Sequence, residues 1–171
     1  MLQIRAEKTP DSAAIRGLIL AAFAPRTNEA DLVDALRRAG QAAVSLVAIS
    51  DGQLAGHVLF SPVTLFPAQP NLRGLGLAPL AVRPEFQRQG IGSKLALRGL
   101  EVCRDAAFEY VVALGDPRFY SRFGFRAARL FQLDNEYGVD EQFMALELRP
   151  GALTDVPGLV QFRPEFRAHG C

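Results

Sequence analysis

Between Leu75 and Leu114 the chain reads as an apolar run, a glycine turn, an amphipathic stretch and a second apolar run, and this order limits the fold more than any other feature. In the amphipathic stretch, from Gly92 to near Ala107, Leu95, Leu97, Leu100, Val102 and Cys103 alternate with Lys94, Arg98, Glu101 and Arg104, as on a helix with one buried face. A strand that passes through a helix into another strand pairs with it in parallel, because the crossover is too long for a hairpin. Two glycines and Pro79 in Leu72–Val82 are poor strand formers, so a bulge or splayed end is expected there.

The flanking sequence extends this unit to β-α-α-β-β-β-α-β-α-β. Leu2 to Ala6 alternates as a strand, and Thr9-Pro10-Asp11 supplies an N-cap, a proline at the first helical position and an acid in the first turn of a helix reaching Phe23. Ala30, Leu32, Val33, Leu36 and Ala39 form one helical stripe that Gly40 ends. Asp51-Gly52 joins two strand patterns as a tight hairpin. Asp116-Pro117 opens a helical turn ended by Gly124, and Phe143 to Pro150 alternates as a late strand. Arg-Pro-Glu-Phe occurs at Arg83 and again at Arg163, a four-residue echo read as chance.

With 171 residues, 49% of them apolar, the chain suits one domain over 1–171. A net charge of +1 supplies no broad attraction for phosphate backbones, so sequence-independent nucleic-acid binding is not expected. Cys103 and Cys171 form no disulfide framework, and the two histidines and two cysteines lack metal-ligand spacing. The beginning of the chain lacks a signal-peptide layout, and no apolar run is long enough to span a bilayer, so a cytoplasmic protein without membrane association is expected.

A helix N-terminus leaves backbone N–H groups unpaired and carries partial positive charge, which makes a strand, glycine turn and helix a candidate phosphate cradle. Positive φ is expected at Gly90 and Gly92. Spacing separates three phosphate-binding patterns. A nucleotide triphosphate loop needs Gly-Lys-Ser/Thr, but here Gly92-Ser93-Lys94 has the wrong order, and Gln87 stands where its first glycine belongs. A dinucleotide fingerprint needs a third glycine where Leu95 stands. Gln87-Arg88-Gln89-Gly90-Ile91-Gly92 does fit Gln/Arg-x-x-Gly-x-Gly/Ala.

With that pattern, and with Phe119-Tyr120-Ser121-Arg122-Phe123-Gly124-Phe125 about thirty residues later, the chain resembles the GNAT acetyltransferase superfamily. The resemblance implies a mixed α/β fold: a twisted central sheet of about six to seven strands, splayed at the fourth and fifth, flanked by about four helices. It implies acetyl-CoA as cosubstrate without a metal, pantetheine along the backbone of Leu80, Ala81 and Val82, and the pyrophosphate on the segment Gln87, Arg88, Gln89, Gly90, Ile91, Gly92 and Ser93. It also implies an N-acetyltransferase acting on a primary amine, with Tyr120 as the general acid for the departing thiolate; Arg122 stands at the family's basic position. No carboxylate lies in the fourth-strand segment, which leaves a water relay, Glu29 or Glu136 to take the amine's proton. The acceptor is a small molecule or a peptide, and a homodimer is permitted. The alternative is a non-catalytic acyl-CoA binding or sensing module.

Overall fold

The computed structural model describes all residues from Met1 to Cys171. Nine strands are present: β1 (Leu2–Ala6), β2 (Val44–Ser50), β3 (Gln53–Phe66), β4 (Gly74–Val82), β5 (Tyr110–Leu114), β6 (Arg126–Ala127), β7 (Leu133–Asn135), β8 (Phe143–Glu147) and β9 (Gly158–Gln161). Five α-helices accompany them: α1 (Ser12–Phe23), α2 (Asn28–Arg38), α3 (Ile91–Asp105), α4 (Pro117–Tyr120) and α5 (Pro164–Ala168). Hydrogen-bonded neighbours follow the order β1-β2-β3-β4-β5-β8-β6, with β9 paired to β3 and β7. The expected mixed α/β order is present, enlarged by β6, β7, β9 and α5.

The chain folds into two compact units, the first comprising Met1–Phe60, Pro79–Gly99 and Pro164–Cys171 and the second Ser61–Ala78 and Leu100–Arg163. In the first, β1 and β2 pair antiparallel from Leu2↔Ser50 to Ala6↔Leu46. The β2–β3 hairpin turns at Asp51 and Gly52, both at positive φ, the conformation for which this dipeptide is favoured. Ile15, Leu18 and Ile19 of α1 pack with Ala30 and Val33 of α2, Val47 of β2 and Ala81 of β4. The entry to α1 differs from expectation. Thr9–Asp11 forms a separate 3-10 turn with Lys8 as its cap, and the Asp11 carboxylate accepts from Lys8 N–H and pairs with Arg5.

The first half of α3, as far as Gly99, is seated on β3 by two close approaches. A Cβ on Gly56 would lie 2.8 Å from Leu95 Cδ1, and one on Gly99 would lie 2.4 Å from Phe60 Cε2. Hydrogen in place of a side chain at each site lets helix and strand meet.

In the second unit, β4 and β5 are parallel, as the crossover requires, but their ladder covers only Gly74↔Tyr110 to Gly76↔Val112. β5 then pairs antiparallel with β8 along its whole length, and Arg126 and Ala127 of β6 add to the far side of β8. Leu133–Asn135 of β7 runs parallel to β9, whose other edge pairs with Thr64–Phe66.

Candidate functional site

The glycine turn begins where β4 ends. Arg83 is pinned to β3 twice, its backbone N–H donating to Ala55 O at 2.8 Å and its Nε to Leu54 O at 3.2 Å. Pro84–Phe86 makes one 3-10 turn, and the Gln87 side chain returns to donate from Nε2 to Val82 O at 3.0 Å. Two residues then take left-handed backbone, Arg88 at φ +62° and Gly90 at φ +81°, before α3 starts at Ile91. Here the structure corrects the sequence. Gly92 is already helical and has no positive φ; the second left-handed residue is Arg88.

The first helical hydrogen bond of α3 runs from Lys94 N–H to Gly90 O at 3.1 Å. The N–H groups of Ile91, Gly92 and Ser93 therefore precede the first intrahelical donor, at the positive end of the helix dipole. Nothing lies within 4 Å of the position a Gly90 Cβ would occupy. Arg88 and Lys94 are exposed beside it. Unpaired donors, open space over a glycine and two free cations suit a diphosphate group. Along the end of β4, Ala81 is buried in the α1–α2 core, while Leu80 and Val82 are partly exposed. The strand end thus presents one face to the core and one partly to solvent.

Tyr120 closes α4 in the second unit. Asp116 caps that helix by accepting from Arg118 N–H at 2.9 Å, Pro117 occupies the first turn, and Gly124 at φ +95° ends the following 3-10 turn. Tyr120 is 8% exposed, and its ring meets Phe119 and Phe125 edge-on, at centroid distances of 5.0 and 5.4 Å. Gly115 makes room for it, since a Cβ there would lie 2.5 Å from Tyr120 Cε2. Burial disfavours the phenolate and pushes the hydroxyl pKa up to about 12. Arg122 lies over Phe119 at 4.8 Å and donates from Nε to Phe119 O at 3.3 Å.

The two candidate carboxylates differ. Glu136 accepts the Phe162 N–H at 3.1 Å, while Glu29 pairs with Arg26 at 2.7 Å and keeps Oε2 buried without a hydrogen-bond partner. The His57 environment escaped the sequence reading. His57 is fully buried in β3, its Nε2 lies 2.9 Å from Ser45 Oγ, and Ser45 donates to Glu7 Oε2. Arg37 donates to the other Glu7 oxygen at 2.7 Å. Burial alone would raise the Glu7 pKa, but His57 at 3.6 Å and the hydrogen bonds from Arg37 and Ser45 outweigh it and hold the carboxyl at about 2. Burial lowers the His57 pKa, against the opposing pull of Glu7. No sequence motif marks this cluster, because its members come from three separate strand regions and α2. No group of three His, Cys, Asp or Glu residues is placed to hold a metal ion, and no helix is long and apolar enough to cross a membrane.

Residues 13–125 match the sequence model of the Acetyltransferase (GNAT) family. An uncharacterized N-acetyltransferase of Escherichia coli strain K12, YhbS, is 38% identical over 165 residues, covering 95% of this chain and 97% of that protein. The crystal structure of E. coli YhbS in complex with CoA is similar with a TM-score of 0.91 and 37% identity, covering 97% of this chain and 92% of the other. A GNAT family acetyltransferase of Brucella melitensis in complex with acetyl-CoA, also 37% identical, gives a TM-score of 0.81 over 97% of this chain and 98% of its own.

Proposed function

The chain belongs to the GNAT acetyltransferase family, and from that premise we propose that it transfers an acetyl group from acetyl-CoA to a primary amine by direct attack, with Tyr120 as proton donor. The observation that carries this reading is the start of α3: unpaired N–H groups of Ile91, Gly92 and Ser93 beside the open face of Gly90. The diphosphate is held by the backbone from Arg88 to Ser93, with Gln87 at the head of the motif. Pantetheine lies along Leu80, Ala81 and Val82. The choice of cosubstrate is supported by two relatives at 37% identity, one in complex with CoA and one with acetyl-CoA.

Bound acetyl-CoA supplies an acyl carbon activated as a thioester. The amine must arrive neutral, although a primary alkyl amine has a pKa near 10.4, so only about one molecule in 10³ is neutral at pH 7. Glu136 accepts the Phe162 N–H through Oε1 and Glu29 pairs with Arg26, so a water relay or one of these two carboxylates is left to take the amine's proton. Tyr120 keeps its own proton throughout the neutral range and presents it to the sulfur as negative charge grows there. Against an ordinary thiol pKa of about 8.5, complete transfer from a phenol of pKa about 12 is uphill by roughly 5 kcal/mol. The hydroxyl therefore works chiefly by hydrogen-bonding the developing thiolate.

Incubation with acetyl-CoA and a panel of small amines, peptides with free N-termini and lysine-containing peptides tests the reading through thiol release and acetamide formation. The expected result is release that depends on one acceptor class, with a matching acetylated product. Saturable CoA binding with no amine-dependent release from any acceptor would instead mark an acyl-CoA binding or sensing module.

A further inference from the structure

The hydrogen bond from Gln87 Nε2 to Val82 O closes a small ring of backbone between the end of β4 and the glycine turn. Within the ring, Arg83 is tied to Leu54 and Ala55 of β3, and Phe86 N–H donates to Arg83 O at 2.8 Å. Gln87 N–H makes a longer bond to Pro84 O, 3.3 Å, so the 3-10 turn weakens just before the chain reverses at Arg88. Gln89 Nε2 lies 3.5 Å from Glu85 O, at the outer limit of a hydrogen bond, and that contact stays inside the turn. The Gln87 amide is what reaches back to the strand. Its exposed side chain spends its extended reach on a carbonyl five residues earlier.

From this geometry we infer that Gln87 is a positioning residue, which ties the phosphate-binding turn to the end of β4 through Val82 and so sets the spacing between the two backbone segments that grip the cosubstrate. The inference rests on the reading of the turn and strand as the diphosphate and pantetheine sites. It assigns to the Gln87 side chain a bond to the protein instead of to the ligand. A ligand that spans both segments gains from a fixed spacing, because the second contact is already in place when the first forms; a ligand held by the turn alone does not. Any side chain with an N–H donor and the same reach can serve, which admits arginine, whereas asparagine carries the same amide on a stem one methylene shorter.

The test compares coenzyme A, which spans turn and strand, with 3′-phosphoadenosine 5′-diphosphate, which keeps the diphosphate and lacks pantetheine, by calorimetry on folded wild type, Gln87→Leu, Gln87→Asn and Gln87→Arg. The readout is the ratio of the two dissociation constants, so that the charge added by arginine largely cancels. Losing one exposed hydrogen bond should weaken coenzyme A by roughly three- to tenfold in Gln87→Leu and Gln87→Asn, with the pantetheine-free nucleotide changed by less than twofold. Gln87→Arg should return the ratio toward the wild-type value. An unchanged ratio in Gln87→Leu, or equal weakening of both ligands, would overturn the inference, as would a Gln87→Asn variant equal to wild type. Failure of the wild type to bind coenzyme A would remove the underlying reading instead.

Discussion

At the scale of single residues, Tyr120 and its surroundings make the sharpest chemical claim. The ring is fixed by Phe119, Phe125 and the bare backbone of Gly115, so Tyr120→Phe keeps the packing and deletes only the hydroxyl. If that hydroxyl faces the departing sulfur, kcat should fall by about 10²–10³-fold, the usual cost of removing one donor from developing negative charge, while acetyl-CoA affinity stays within a few-fold. Pre-steady-state thiol release, where chemistry limits, checks this; a near-normal rate would reduce Tyr120 to a packing residue. The same burial fixes the pH dependence. A phenol pushed up to about 12 stays protonated up to and beyond pH 10, so wild-type kcat should show no alkaline loss assignable to Tyr120 below pH 10. A loss there that disappears in Tyr120→Phe would contradict the assignment.

At the scale of elements, the seating of α3 on β3 holds the glycine turn in place. Phe60 is fully buried, so its ring has no free space into which to retreat from a Cβ on Gly99 that would lie 2.4 Å away. Gly99→Ala should therefore cost about 1–3 kcal/mol through overpacking, more than offsetting the up to about 1 kcal/mol that alanine gains in helix propensity. Phe60→Leu combined with Gly99→Ala should recover part of the loss; urea denaturation of the two variants measures both, and additive losses would contradict the packing account. The longer elements were legible because periodicity and punctuation agree. α2 carries its apolar stripe to Gly40, and the β2–β3 hairpin turns at Asp51-Gly52. Strands of two to four residues, such as Arg126–Ala127, Leu133–Asn135 and Gly158–Gln161, are too short to display a period and owe their pairing to partners distant in sequence. In both copies of Arg-Pro-Glu-Phe the proline starts a helical turn, Pro84–Phe86 and Pro164–Ala168. In the turn itself Gly90 was legible, but nothing in the sequence announces Arg88 at positive φ, a conformation that side chains other than glycine rarely adopt.

At the scale of the whole molecule, buried ionisable groups tie stability to pH. His57 has a lowered pKa when folded, so the unfolded chain takes up its proton first, and stability is lost as pH falls below about 6.5. Glu7 is held at about 2 against an ordinary 4.5, so its contribution is complete above pH 4.5 and fades as pH falls toward 2. Thermal melts should therefore show Tm declining below pH 6.5 and more steeply below 4.5, and Glu7→Gln should flatten the second limb. A Tm independent of pH between 7 and 3 would contradict the network. Cosubstrate binding is proposed to rest on the backbone of the glycine turn, which takes the diphosphate. Isothermal titration of coenzyme A into wild type and folded Gly90→Val tests it most directly, because the variant adds side-chain bulk in open space and strains a φ of +81°. Saturable wild-type binding and an affinity at least tenfold weaker in the variant, about 1.4 kcal/mol, are the predicted result. Equal affinity in the two proteins would contradict it.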